Sequence, residues 1–403
     1  MIFFAIVFAV EGIGQARVGI ILQPLTYYLK ESGWTPLQVT GYFGVLNFPW
    51  IIKPVFGLVS DFVPLLGYRR TSYLMLASAI GAGAYAGIAL LGNPAEFAPL
   101  LLLTSYAMAT ASTLCGALLA ENGRSFDRAS RFVGQQWLWF NIAIMASAVA
   151  GGLLVEHLST LSALKAAAAL AAIAPLAMLV ATPLLLAEPR SPANREAFRA
   201  TLAGILAAVK SRKLYLVAAF LFLYAFSPGF GTPLYYHMTD RLGFSQTYIG
   251  VLGSISAAGW IAGAVVHRWL LRRLDPQRLL YLSILLGTVS AASFLLLTNE
   301  TSAALVNFGN GLAAMIATIA SLTIAAQHCP SRAEGFAFAG LMSVSNLADV
   351  FSINAGAFLY EHVFDSRLAP LIVVSAAATA LAAALVPLLG LRASPENPLD
   401  PTI

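Results

Sequence analysis

Long apolar runs separated by short polar stretches make up nearly all of the 403-residue chain. A helix needs about 20 apolar residues to cross a hydrocarbon layer of about 30 Å, and each run meets that length. Spanning segments must satisfy their backbone hydrogen bonds internally, so runs this long are predicted to be α-helices. The predicted helices cover roughly residues 2–30, 37–60, 71–92, 98–121, 131–156, 163–187, 213–238, 246–270, 278–298, 302–327, 335–360 and 367–391. The pattern predicts an all-α integral membrane protein with twelve transmembrane helices.

A polar segment over residues 188–212, which contains Pro189, Pro192 and Lys210, divides these helices into two sets of six. We predict an amino-terminal bundle over residues 1–187, a cytoplasmic linker over 188–212, and a carboxyl-terminal bundle with a short tail over 213–403.

The two predicted bundles also resemble each other in sequence. The first helix contains Pro24-Leu25-Thr26-Tyr27-Tyr28, and the seventh contains Pro233-Leu234-Tyr235-Tyr236-His237. Two parallel six-helix repeats with a site between them are typical of an alternating-access transporter. Chance similarity within apolar sequence of low complexity is the alternative interpretation.

Composition supports the membrane assignment, since 59% of the residues are hydrophobic and only 10% are charged. A compact soluble fold needs far more polar surface than this. Most lysines and arginines fall in loops on one side, and the opposite loops hold only Lys30, Lys165, Arg241 and Arg367. Positive charge accumulates on the cytoplasmic side, so both termini are predicted to face the cytoplasm. The net charge of +5 is spread between apolar runs, so we expect membrane lipid and no nucleic acid as a partner.

The chain lacks the residue patterns of an enzyme or of a metalloprotein. Cys115 and Cys329 are too few to form a metal-binding set, and the five histidines fall near the ends of different helices. The sequence contains no phosphate-binding GxxxxGK[ST] loop and no HExxH or GxSxG motif. We therefore expect no enzymatic activity, no cofactor and no bound metal.

The loop after the second predicted helix carries the pattern Gly57-x3-Asp61-x5-Gly67-x-Arg69-Arg70. This pattern resembles the loop signature of the major facilitator superfamily, which implies a fold of two pseudo-symmetric six-helix bundles. A glycine permits close helix approach, an aspartate can face a helix amino terminus, and the arginines can pair with acids. We predict a gating role for these five residues, although the two arginines also suit a simple topology signal.

Glu121 is predicted to form a gate or loop salt bridge, because it ends the fourth helix near Arg124 and Arg128. A Ser227-Pro228-Gly229-x-Gly231-x-Pro233 segment in the seventh helix is predicted to break that helix and allow bending.

A narrower resemblance rests on two segments. They are Lys53-Pro54-x2-Gly57-x2-Ser60-Asp61-x2-Pro64-x2-Gly67-Tyr68-Arg69-Arg70 and Cys329-Pro330-x3-Glu334-Gly335-x-Ala337-Phe338-Ala339. The chain thereby resembles the folate–biopterin transporter family, and Phe336 departs from the threonine of the family's second motif. A related family that carries muropeptides is similar in the first two helices and is the alternative.

Ionisable side chains are costly inside a membrane and usually functional, and four of them stand out: Glu11, Arg17, Lys53 and Asp349. In the superfamily that the chain resembles, the first and eleventh helices face the central cavity, so these side chains could bind substrate. A structural ion pair between Arg17 and Asp349 is the alternative. Three polar or aromatic residues complete the predicted substrate site, namely Gln15, Asn346 and Tyr235.

The resemblance implies a pterin or folate substrate. A carboxylate such as Glu11 or Asp349 can accept two adjacent N–H donors of a pterin edge, and Arg17 or Lys53 can neutralise a glutamyl carboxylate. Glu11 and Asp349 are also the predicted proton carriers, since a buried carboxyl can load on one side and unload on the other.

We therefore expect a major facilitator transporter in a cell or inner membrane, monomeric, and coupled to protons by symport. Uniport and exchange are alternatives, as are a muropeptide or drug carrier and a non-transporting membrane assembly factor.

Overall fold

The computed structural model describes residues 2–91, 97–125, 129–190, 199, 202–203, 205, 210–271, 273–328 and 334–389. Regular structure within these residues is helical, apart from an isolated β-bridge between Leu65 and Tyr68. The helices of the amino-terminal half are α1 (Ile2–Gly14), α2 (Leu22–Glu31), α3 (Pro36–Ile51), α4 (Lys53–Phe62), α5 (Thr71–Leu90), α6 (Phe97–Ser125), α7 (Ala129–His157) and α8 (Thr160–Leu185). Those of the carboxyl-terminal half are α9 (Arg212–Ala225), α10 (Gly231–Asp240), α11 (Gln246–Val266), α12 (Pro276–Ser293), α13 (Glu300–His328), α14 (Glu334–His362) and α15 (Leu368–Leu381).

Three helices continue in a different helical form. A π-helical segment, His267–Leu271, extends α11, and two 3₁₀ segments, Phe294–Leu296 and Ala382–Leu389, extend α12 and α15. Ten segments of the described chain are long and apolar enough to cross a membrane. The first and seventh predicted helices make up the difference from twelve, because each of them is divided into two shorter helices.

The first predicted helix is divided between Gly14 and Leu22, so the prediction of one continuous helix over residues 2–30 was wrong. Arg17 therefore lies in a non-helical segment and not near the middle of a helix. The chain turns so tightly here that a Cβ added to Gly19 would lie 2.1 Å from the carbonyl oxygen of Ile13. Only glycine fits that position, because it has no side chain.

The predicted break in the seventh helix is confirmed, since residues 226–230 separate α9 from α10. The freed backbone groups find partners on α14: the N–H of Gly229 donates to the carbonyl of Ser352 at 2.8 Å. The Ser227 hydroxyl also lies 2.8 Å from that of Ser375 on α15. Irregular backbone at membrane depth requires this kind of internal satisfaction.

The second predicted helix bends at Ile52, between α3 and α4. Pro54 follows two residues later, and a proline both removes a backbone donor and crowds the preceding turn. The bend places Lys53 at the start of α4, where its side chain turns toward the interior of the amino-terminal bundle.

Each half has its own apolar core, and the two halves meet mainly along two helix pairs, with smaller contacts between α4 and α14 and between α3 and α10. Helix α7 packs against α11, and α3 packs against α14. The α7–α11 contact is very close, because a Cβ on Gly250 would lie 2.4 Å from the carbonyl oxygen of Ala148. Small residues allow backbones to approach in this way within a membrane. Any site between the halves is therefore bordered by these four helices.

Candidate functional site

Three polar side chains from three helices meet inside the amino-terminal bundle. The Ser112 hydroxyl of α6 donates to Glu11 Oε1 of α1 at 2.7 Å and accepts from Lys53 Nζ of α4 at 3.0 Å. Gln15 Nε2 donates to the same Glu11 oxygen at 3.0 Å. Opposite charges joined through a hydroxyl offset the cost of placing either one in an apolar environment. We refer to Glu11, Gln15, Lys53 and Ser112 as the carboxylate–lysine cluster.

The Trp50 indole lies close to Lys53 of this cluster and to a second cation, Arg17. Lys53 Nζ lies 4.2 Å from the ring centroid, and the guanidinium carbon of Arg17 lies 5.7 Å from it. Both distances suit a cation–π interaction, which strengthens when the cation is removed from water. Trp50 therefore helps to hold two positive charges close together.

Arg17 connects the two bundles. Its guanidinium lies 3.9 Å from Asp349 Oδ2 on α14 and donates to Asn47 Oδ1 on α3 at 3.5 Å. Asn346, one turn before Asp349, donates to the Trp50 carbonyl at 3.0 Å. The Arg17–Asp349 separation is long for a salt bridge, and the two side chains are 31% and 59% exposed. Both groups therefore keep hydrogen-bonding capacity that a ligand can use.

Six of the seven predicted substrate-binding residues belong to this region, and Tyr235 does not. Its buried hydroxyl donates to Gln246 Oε1 at 2.8 Å, where α10 meets the start of α11. The Arg17–Asp349 ion pair of the alternative interpretation is present at 3.9 Å, and it includes neither Glu11 nor Lys53.

Sequence reasoning missed Ser112, and no pattern could have found it. A serine within a long apolar helix usually bonds its own backbone, as the adjacent Thr113 does with the carbonyl of Ala109 at 2.7 Å. Only the approach of α1 and α4 to α6 distinguishes the two hydroxyls.

The loop signature forms an ion pair within the amino-terminal bundle. Arg70 NH2 lies 2.6 Å from Asp61 Oδ1, and Arg70 NH1 donates to the Ser60 hydroxyl at 2.7 Å. The Tyr73 hydroxyl donates to the carbonyl of Val63 at 2.6 Å and fastens the end of α4 to α5. Asp61 thus pairs with an arginine of its own loop.

The start of the linker holds this loop from the other side. The Glu188 carboxylate accepts backbone N–H groups of Arg69, Arg70 and Thr71 at 2.8 to 3.1 Å, at the amino terminus of α5. Burial raises the pKa of the Glu188 carboxyl, but these hydrogen bonds outweigh burial and hold its pKa below the usual value.

Two glycines of the signature occupy different environments. Gly67 has a φ of +84°, which favours glycine, and the Arg190 side chain packs beside it. The Arg190 guanidinium also lies 5.9 Å from the Tyr68 ring centroid. Gly57 lies on α4 facing Thr113 of α6. The predicted gating side chain of Glu121 lies outside the described side chains, as do residues 329–333 of the second motif.

Comparison with known families decides what kind of protein carries these clusters. A model of the BT1 family matches residues 14–394, which is nearly the whole chain. The chain belongs to the BT1 family. The matched range of this BT1-family protein includes Arg17, Lys53 and Asp349, and it begins after Glu11.

Curated relatives of this BT1-family protein are transporters. The folate-biopterin transporter of Synechocystis sp. is 28% identical over 399 residues, covering 94% of this chain and 79% of that protein. Folate transporter 2 of Plasmodium falciparum is 23% identical over 351 residues, covering 83% of this chain and 75% of that protein. The BT1-family chain is thus a multi-pass membrane transporter and not an enzyme.

Solved structures show the fold. The nucleoside transporter NupG superposes with a TM-score of 0.71 at 14% identity, covering 97% of this chain and 98% of that one. A D-xylose-proton symporter gives a TM-score of 0.71 at 12% identity, covering 96% of each chain. The predicted major facilitator fold of this BT1-family protein is confirmed.

Proposed function

We propose that this transporter moves a folate- or pterin-like organic anion by alternating access, with the substrate bound between Arg17 and Asp349. The observation that carries the proposal is the loose contact between these two side chains. They come from opposite bundles, face each other at 3.9 Å, and are only partly buried. A ligand between them touches both halves, as a substrate must if its binding is to control their relative movement.

The residue types suit a pterin or folate. Asp349 can accept two adjacent N–H donors of the pterin edge, in the bidentate geometry that carboxylates use with arginine. Arg17 can pair with a carboxylate of a glutamyl tail. The Trp50 ring is buried against both cations, so a flat heterocycle would contact its aromatic face only after the surrounding helices move apart.

The carboxylate–lysine cluster is the proposed route of proton coupling, with Glu11 as the first carrier and Asp349 as the second. Protonating Glu11 removes the negative charge to which the Ser112 hydroxyl and Gln15 donate. Lys53 then loses its nearest counter-charge, so the balance of charge around Trp50 changes. Symport follows if substrate binding favours the protonated form.

We further propose that the protein is a monomer in a cell or inner membrane, with both termini cytoplasmic. The excess of lysine and arginine in one set of loops supports this orientation.

Uptake into proteoliposomes tests the proposal. Labelled folate and a simple pterin would be supplied with and without an inward proton gradient, to the parent protein and to Glu11→Gln and Asp349→Asn. We expect gradient-stimulated uptake that both substitutions reduce at least about tenfold, since each removes a charged partner. Glu300→Gln at the start of α13 is a control with the same chemical change.

Absence of uptake of both compounds by folded parent protein would overturn the substrate assignment, and muropeptides and other organic anions would be supplied next. Uptake that is unaffected by the gradient would overturn proton coupling alone.

A further inference from the structure

The carboxyl-terminal end of α7 reaches across to the opposite bundle. Glu156, the second-last residue of α7, accepts the backbone N–H of Gln246 at 2.6 Å and that of Thr247 at 3.2 Å. Gln246 and Thr247 are the first two residues of α11, in the carboxyl-terminal half. A side chain of the amino-terminal bundle therefore occupies the amino terminus of a helix in the other bundle.

Helix α14 makes the same contact in the opposite sense. Glu361, the second-last residue of α14, accepts the backbone N–H of Leu37 at 2.6 Å. Leu37 is the second residue of α3, in the amino-terminal half. Each bundle thus contributes one carboxylate and one helix amino terminus.

The sequence repeats around both contacts. Helices α7 and α14 each have 29 residues and end in Leu154-x-Glu156-His157 and Leu359-x-Glu361-His362. The helices that they meet begin in parallel fashion. Thr35 caps α3 and Ser245 caps α11, each by accepting the N–H three residues later.

The physical chemistry favours a carboxylate at both places. The first N–H groups of a helix lack intrahelical partners and carry the positive end of the helix dipole. The Thr35 and Ser245 hydroxyls satisfy one such group in each helix, and the carboxylates satisfy groups that remain. Bonds between an ionised carboxylate and backbone N–H groups are stronger than neutral ones. Two of the three contacts are short, at 2.6 Å, and the third is 3.2 Å.

Two further contacts lie between the same ends of the two bundles. Lys30, near the end of α2, pairs with Asp240, at the end of α10, at 2.7 Å. The Tyr236 hydroxyl of α10 donates to the carbonyl of Trp34 in the amino-terminal half. We call this end of the molecule, where α2, α7, α10 and α14 finish, the Lys30 end.

We propose that Glu156 and Glu361 are a symmetry-related pair of latches that hold the two bundles together at the Lys30 end. Both carboxylates leave their helix termini when that end opens and return when it closes. The latches rest on the proposed alternating access, but they do not depend on which substrate is carried.

Distances between spin labels on the full-length protein in lipid nanodiscs test this proposal. The labels go on cysteines at Ser32 and Arg241, two exposed positions on opposite bundles at the Lys30 end. Cys115 and Cys329 are first replaced by alanine. The parent, Glu156→Gln, Glu361→Gln and the double variant are compared without substrate, so failure of the substrate assignment cannot affect the result.

We expect each glutamine variant to raise the ratio of open to closed distances about threefold to tenfold, because a charged hydrogen bond becomes a neutral one. The double variant should exceed either single one. Glu300→Gln is the matched control, since Glu300 begins α13 at the same end. Its backbone carbonyl accepts a hydrogen bond from the Tyr248 hydroxyl, which belongs to the same bundle. Its ratio should equal that of the parent.

If the ratio of open to closed distances is unchanged in the double variant, the proposal that Glu156 and Glu361 act as latches is wrong. If only one of the single variants shifts the ratio, the two latches are not equivalent. If a glutamine variant does not fold, Glu156→Asp or Glu361→Asp replaces it. The aspartate keeps the charge but shortens the reach, so the open state should again increase, by a smaller factor.

Discussion

At the scale of single residues, the central site depends on which hydroxyl and which ring lie beside the charges. Glu11, Arg17, Lys53 and Asp349 stand out in the sequence because ionisable groups are costly in apolar surroundings. The sequence does not show which of these charged side chains pair with each other. Glu11 is joined to Lys53 through Ser112, and Arg17 meets Asp349 across the bundle interface.

Ser112→Ala tests the connection between Glu11 and Lys53. Losing the hydroxyl leaves both charged groups without a shared partner, so we expect kcat/KM for uptake to fall about tenfold. Thr113→Val is the matched control, because the neighbouring hydroxyl bonds only a backbone carbonyl of its own helix and valine keeps its shape. Equal losses in the two variants would show that Ser112 has no special role.

At the scale of elements, breaks and caps position the site. The first and seventh spans of the fold are both interrupted, at residues 15–21 and 226–230. Interruptions at corresponding positions of two repeats are a feature of transporter binding sites. The segment from Ser227 to Pro233 predicted the second break, because it contains two prolines and two glycines. The first break has no proline, and its tight turn accepts only glycine at position 19, because an added Cβ would lie 2.1 Å from the carbonyl oxygen of Ile13.

The linker contact at α5 predicts a pH-dependent contribution to stability. The pKa of Glu188 is lowered in the folded protein, so its stabilisation is present above the unfolded pKa of about 4.3 and disappears as pH falls through the folded pKa. We expect Glu188→Gln to lower the thermal unfolding midpoint at about pH 7, and the difference from the parent to shrink as pH falls through the lowered pKa of Glu188. Thermal unfolding of both proteins across this range measures the difference. An equal difference at every pH would contradict the electrostatic explanation.

At the scale of the whole molecule, the two halves behave as repeats that share an interface. The Lys30–Asp240 pair joins the ends of the first and seventh spans, and the contacts of Glu156 and Glu361 lie at the same end. These contacts link residues at least 90 positions apart along the chain, and the sequence shows none of them.

Exchanging the charges of Lys30 and Asp240 tests whether their attraction matters for transport. We expect Lys30→Asp and Asp240→Lys each to reduce uptake about threefold or more, because like charges then face each other. The double exchange restores the attraction, so its uptake should return toward that of the parent. A double variant that is no better than the single ones would show that the pair acts through shape and not through charge.

The sequence by itself determined the membrane class, the approximate positions of the membrane spans and the family. Apolar length and charge distribution are local properties of the chain, and the loop signature is contiguous. The sequence also identified the charged residues of the central site, because charged residues are rare in apolar runs. Only the tertiary structure decided that Arg17 lies in a break, that Ser112 joins Glu11 to Lys53, and that Tyr235 lies elsewhere. These facts depend on how separate helices pack against one another. Helix packing brings together residues that are far apart along the chain, and nothing in the sequence indicates that they are neighbours.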